Sequence, residues 1–178
     1  MKPVLLLCLG LLGPAAALAA DNPASVADLF GTPANLQTVR AADRVDACIL
    51  RHINATTLPD GRIDWKTERY EETAFVPVPA APAQELRNLL LDDRTYDWND
   101  HGGHRPQLYL RLRFHRGAET VTLDFCFLCQ VTVVTHGGAA LGHASFAPNA
   151  DLLLQAFRKV FPDDAPLRQV AKEAGLPP

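Results

Sequence analysis

An α+β fold is what this 178-residue sequence predicts: an antiparallel sheet in the order β-α-β-β-β-α, with two helices packed on one face. Three observations lead to it. Residues 107–115 alternate without a break, with Leu108, Leu110, Leu112 and Phe114 on one parity and Tyr109, Arg111, Arg113 and His115 on the other. Period-two alternation marks a strand with one buried and one wet face. After the hairpin-length turn Arg116-Gly117-Ala118-Glu119, residues 120–127 repeat the pattern, with Val121, Leu123, Phe125 and Phe127 inward. Two stretches carry apolar residues at helical spacing instead: Leu86, Leu89 and Leu90, and later Leu152, Leu153, Ala156, Phe157 and Val160.

The chain opens with the pattern of a secretory leader. Lys2 supplies the charged start, Val4 to Leu12 the apolar stretch, and Ala17-Leu18-Ala19 the small-x-small cleavage site. Residues 1–19 are therefore expected to be a signal peptide, and the product to be periplasmic or secreted. Leu5-Leu6-Leu7-Cys8 lacks the small residues that precede a lipid-modified cysteine. No other apolar run is long enough to cross a bilayer.

Residues 20–43 mix Ala, Asn, Pro and Thr with scattered apolar positions and read as a partly ordered N-terminal arm, with one helical turn from Ser25 to Phe30 stopped at Gly31. Residues 44–178 read as a single α+β domain, long enough for a sizeable core. Val45 to Arg51 is a first strand. Leu58-Pro59-Asp60-Gly61 is a turn, and Ile63 and Trp65 are apolar anchors in a polar stretch. Phe75 to Pro79 is extended. Pro82 suits the first turn of the helix at Ala81 to Leu91. A polar loop with Tyr96 and Trp98 follows, and these rings are expected to pack onto the sheet edge. Asp124 can pair with Arg111 or Arg113 as an exposed cross-strand contact. Gln130 to Thr135 continues the second hairpin strand, His136-Gly137-Gly138 turns the chain, and Ala139 to Phe146 returns. Asn149 caps the helix to Val160, Pro162 ends it, and a short helix spans Ala165 to Ala174.

Charge excludes two classes of partner. The leader carries Lys2 and no acid, so the net charge of −3 becomes −4 once it is removed. An acidic chain without a basic cluster predicts neither nucleic-acid binding nor a polybasic membrane contact.

Beyond the leader stand Cys48, Cys126 and Cys129, an odd number for an oxidising compartment. On a regular strand Cys126 and Cys129 would point to opposite faces, so a bulge or sharp bend is needed to bring them together. Three uses stay open. One is a structural disulfide, within the pair or from one member to Cys48. Another is half of a tetrahedral zinc or soft-metal site, completed by His104 or His101 of His-Gly-Gly-His. The last is redox work, which the strand setting disfavours because a helix N-terminus ordinarily lowers the thiol pKa.

Leu89-Leu90-Leu91-Asp92 to Tyr96, Leu112-Arg113-Phe114, Cys126-Phe127-Leu128-Cys129, Phe146 and Val160-Phe161-Pro162-Asp163-Asp164 together resemble a family of small exported bacterial proteins with a Cys-Phe-x-Cys core and a terminal Phe-Pro-Asp element. The resemblance covers roughly residues 85 to 165. It implies the same architecture and no established activity. Members often carry a further cysteine where this chain has His104, which keeps a metal ligand and removes a disulfide partner.

The remaining histidines have plain readings: His115, His136 and His143 as surface residues, and His52 without a visible partner. The acid pairs Glu71-Glu72, Asp92-Asp93 and Asp163-Asp164 fit solubility and capping. No catalytic residue, calcium loop, nucleophile elbow or phosphate loop is legible. The expected function is an exported, non-enzymatic module that binds or shields an unknown protein or small ligand and needs no cofactor. The alternative is a metal-binding or thiol-dependent periplasmic protein built on Cys126 and Cys129.

Overall fold

The computed structural model describes residues 23–64, 67–100 and 106–176. Residues 1–19, expected from the sequence to be a leader, and Trp65, His101 and His104 lie outside them. In chain order come α1 (Val26–Phe30), α2 (Pro33–Arg40), β1 (Arg44–Ile53), the small hairpin β2 (Thr56–Thr57) and β3 (Ile63–Asp64), β4 (Arg69–Glu72), β5 (Val76–Pro77) and α3 (Ala80–Leu90). Then follow β6 (Leu110–Arg116), β7 (Glu119–Cys126), β8 (Val131–His136), β9 (Ala139–Ser145), α4 (Ala150–Val160) and α5 (Ala165–Glu173). The main sheet runs β4-β1-β6-β7-β8-β9, with β5 also paired to β1, and its pairings are antiparallel.

Alternation sets the register. Leu110 stands opposite Phe125, Leu112 opposite Leu123 and Phe114 opposite Val121. All six side chains are fully buried, in one core cluster with residues from α1 to α5. A one-residue slip would turn this set out to water, so the register is strongly specified.

Three expectations need correction. Within the stretch read as a partly ordered arm, residues 23–43 form two core-packed helices. Ser25 and Thr32 cap α1 and α2 through their side-chain oxygens, and Leu29, Phe30 and Val39 are fully buried. The contact is close: a Cβ added at Gly142 of β9 would lie 3.2 Å from the Leu29 carbonyl oxygen. Helices this short are marginal alone and hold by packing. Five described helices thus share the core instead of two, α5 entering through the fully buried Leu167.

Residues 120–135 are two strands, not one bent strand. Cys126 pairs with Val131, and the chain reverses between them. Apolar content stays high through the turn because Phe127 is buried in the core, so periodicity hides the reversal. In α4, Leu154 replaces Leu152 in the buried face, while Leu152 is exposed. The buried residues Ala150, Leu153, Leu154 and Phe157 follow i, i+3, i+4, i+7, one stripe of a 3.6-residue helix.

The loop aromatics pack as expected. Tyr96 is buried, donates its hydroxyl to the Leu90 carbonyl at 3.0 Å and lies 4.9 Å from the Trp98 ring. Asp97 bridges to Ser145, which lays the loop along the β9 edge.

Candidate functional site

The β7–β8 turn is built from Cys126 to Gln130. Phe127 drops into the core against Phe146 and Phe157, with ring centres at 5.3 and 6.0 Å. Gln130 adopts φ 52°, the left-handed conformation that closes the reversal. Cys126 and Cys129 then lie on one side, Cα atoms 5.6 Å apart, and are joined in a disulfide. The Cys129 backbone N–H donates to the Cys126 sulfur at 3.2 Å. Cys126 is buried and Cys129 is half-buried. Closing so short a loop constrains the unfolded chain by about 2 kcal/mol on the chain-entropy estimate. Cys129→Ser should therefore lower the free energy of unfolding by about that amount, read as a fall in the urea midpoint. An unchanged midpoint would show that Phe127 alone fixes the turn.

Beside this turn opens a cleft of about 410 Å³. Its origin lies in the sheet. β1 and β6 pair as far as Ile49 and Leu110, and Leu50 N–H still reaches the Tyr109 carbonyl at 2.7 Å. The cleft opens beyond that point, between Leu50 to His52 and Gln107 to Tyr109, with Val170 and Glu173 of α5 and Leu128 of the turn as its other walls. Two side chains brace these walls. The Asp164 carboxylate caps α5 by accepting from Leu167 N–H at 2.5 Å, and it also accepts from the Tyr109 hydroxyl at 2.5 Å. The Tyr70 hydroxyl accepts from Leu108 N–H and donates to the Pro106 carbonyl, each at 3.2 Å. Burial and the Asp164 carboxylate hold the Tyr109 phenol well above its usual range, so it stays a donor. Leu128 is 43 % exposed at the mouth, an unusual position for a large apolar side chain next to a closed core.

Cys48 stands apart from the pair. It is a free, fully buried thiol on the opposite parity of β1 from Ala47, paired in register with Arg111. The disulfide alternative through Cys48 is therefore not the one formed. Burial first, and then the nearby Glu72 carboxylate, push its pKa from 9.0 up to about 11. Because the folded value lies above the unfolded one, the folded state keeps its proton longer. This contribution is whole below pH 9 and is lost as pH rises from 9 toward 11, on the order of 2 kcal/mol. Cys48→Ala should flatten the fall in stability across that window, measured by urea unfolding at successive pH values. An identical slope in the variant would assign the fall to other groups.

The histidines gain specific partners. His52 meets the Glu68 carboxylate at 2.7 Å and the Tyr70 ring at 5.1 Å, against the expectation of no partner. His115 is half-buried, with Thr120 at 2.9 Å and Asp46 at 3.1 Å, so it is not a freely solvated strand residue. His136 contacts Glu119 on the surface at 2.9 Å. Among the described residues no group of three His, Cys, Asp or Glu side chains is placed to hold a metal ion. Of the nominated metal set, Cys126 and Cys129 are together, and their sulfurs are occupied by the bond in this form. No described helix is long and apolar enough to cross a membrane.

No family model, curated protein or solved structure matches the chain.

The cleft itself escapes sequence reasoning. It draws on β1, the segment after β4, the approach to β6, the disulfide turn and α5. One signal was present: Asp164 precedes Pro166 and Leu167 at capping distance. Its second bond, to Tyr109 across 55 positions, has no local signature.

Proposed function

We propose that this chain is an exported, non-catalytic binding module that takes a small, partly apolar ligand into the cleft between β1, the approach to β6 and α5. The observation that supports this most is the double bracing by Asp164 and Tyr70, which fixes three separate segments around one concavity. A braced wall lowers the ordering cost of binding. The volume of about 410 Å³ falls within the range of small-ligand sites. Leu50, Leu108, Val170 and Leu128 supply apolar contact, and Arg51 and Thr73 supply polar groups at its edge. The leader at residues 1–19 would deliver the domain outside the cytoplasm.

A neutral solvatochromic dye such as Nile red tests the reading without favouring charged surfaces. Saturable binding with a blue-shifted emission is expected, and Val170→Trp, which fills the cleft from α5, should abolish it. Equal emission from both proteins would sink the proposal.

A second reading rests on the unequal exposure of the two sulfurs. A reductant can reach half-exposed Cys129 while Cys126 stays buried. The reduced pair would present two thiols from one turn, half of a zinc or soft-metal site, with His104 or His101 as further ligands. Stoichiometric metal in reduced protein, lost in Cys129→Ser, would favour it. One free thiol in the protein as isolated, and no metal taken up after reduction, would favour the module.

A further inference from the structure

We infer that the groove between α4 and α5 is a second binding site, specific for an organic anion with a phosphate or carboxylate head. It is distinct from the cleft. Val170 and Glu173 of α5 face the cleft, whereas Arg168, Gln169 and Lys172 line a pocket of about 690 Å³ with Arg158 of α4. Three cationic side chains therefore converge on one concavity, and no carboxylate is among its described lining residues. None of the three makes an ion pair with a described residue. The Arg168 guanidinium makes one hydrogen bond among the described residues, donating to the Pro162 carbonyl at 3.1 Å.

Arg158 supplies the second, independent observation. Its Nε and Nη2 atoms are buried and have no hydrogen-bond partner among the described residues, while the side chain as a whole is half-buried. A guanidinium is never neutral in a protein, and a charge withdrawn from water without a partner is costly. An anion beside it recovers part of that cost, in a setting where water screens the attraction less than at an open surface. Guanidinium forks match the paired oxygens of phosphate and carboxylate, and Lys172 adds a mobile point charge. The volume exceeds that of a bare oxyanion, and Ala165, Gly175 and Leu176 give the pocket an apolar part. These features select an anion carrying an organic body.

Phenyl phosphate, inorganic phosphate, benzoate and neutral benzyl alcohol, each titrated calorimetrically at matched ionic strength, test the inference. Saturable binding of phenyl phosphate or benzoate is expected, tighter than that of inorganic phosphate, with none for benzyl alcohol. Which head binds more tightly separates the phosphate from the carboxylate source. The surface variant Arg168→Gln/Lys172→Gln, whose side chains are exposed, should weaken the bound aromatic anion by about tenfold or more. Arg158→Met should remove the binding and leave the anion-free protein at least as stable, because it deletes an unpaired charge. Unchanged affinity in either variant, or no binding beyond a chloride control, would overturn the proposal. Loss of Nile red binding by Val170→Trp bears only on the cleft, so the two sites fail separately.

Discussion

Phe125→Ala is expected to lower folding stability by about 3–5 kcal/mol, a large part of the roughly 5–15 kcal/mol of an ordinary domain. Phe125 is fully buried and stands at the meeting point of the aromatic core. Its ring centre lies 5.0 Å from Phe157 of α4, 5.9 Å from Phe146 after β9 and 6.4 Å from Phe127 of the disulfide turn. The Phe157 and Phe146 contacts are edge-to-face, an arrangement favoured by the ring quadrupole. Truncation leaves a cavity bordered by α4, the turn and the segment after β9, which cannot all collapse together. Urea unfolding should show the midpoint shift, and Phe125→Leu should lose much less. The exposed Leu152→Ala serves as a control with a small effect. If Phe125→Ala fell no further than Leu152→Ala, the aromatic cluster would not be the centre of the core. Because Phe127 separates the two cysteines, the same variant should also make the Cys126–Cys129 bond reducible at lower reductant concentration.

Arg111→Met should cost about 3–5 kcal/mol, for a different reason. Arg111 donates to Asp124 through Nε and Nη2, each at 2.6 Å, and through Nη1 to Glu72. The Asp124 side chain is only 5 % exposed. Removing Arg111 strands a carboxylate that water cannot reach, and this desolvation dominates over the lost attraction. The double variant Arg111→Met/Asp124→Leu should therefore recover most of the loss. A double-mutant cycle measures the coupling, and added salt should change it little because the pair is shielded. A single-variant cost below about 1 kcal/mol would mean that the pair behaves as an ordinary exposed one. The network extends outward: Arg113 donates to Glu72 at 2.8 Å and lies 4.0 Å over the Phe75 ring. The sheet face opposite the core is thus ordered by charge, where the core face is ordered by apolar burial.

The Arg111–Asp124 pair shows how far local pattern reaches. Strand alternation placed both residues on the same face of a hairpin, and they are cross-strand partners. Alternation could not reveal that Glu72, brought in by the long excursion from β1, would join them, nor that Asp124 would be buried. The disulfide turn shows the same boundary. The need for a bend between Cys126 and Cys129 followed from strand geometry, and the bend is there. That it is a complete reversal depended on Val131 finding Cys126 across the hairpin. In α1 and α2 the apolar spacing Val26, Leu29, Phe30 and then Leu36, Val39 was present in the sequence, and α2 went unrecognised because segments so short and polar do not hold a helix alone.

The sequence by itself determined the β6–β7 and β8–β9 hairpins, the helices α3, α4 and α5, and the core-facing side of β6 and β7. These follow from side-chain period and from the prolines and glycines that bound the elements, which act over a few positions. The expected Asn149 cap is not made, its amide donating instead to the Arg94 carbonyl and Thr95 Oγ1. Tertiary structure decided that Asp164 would hold Tyr109, that Cys48 would remain a thiol beneath a charged layer, and that Arg158, Arg168 and Lys172 would share one groove. Each of these joins segments distant in the chain, and only the packing of α4 and α5 against the finished sheet brings them within reach.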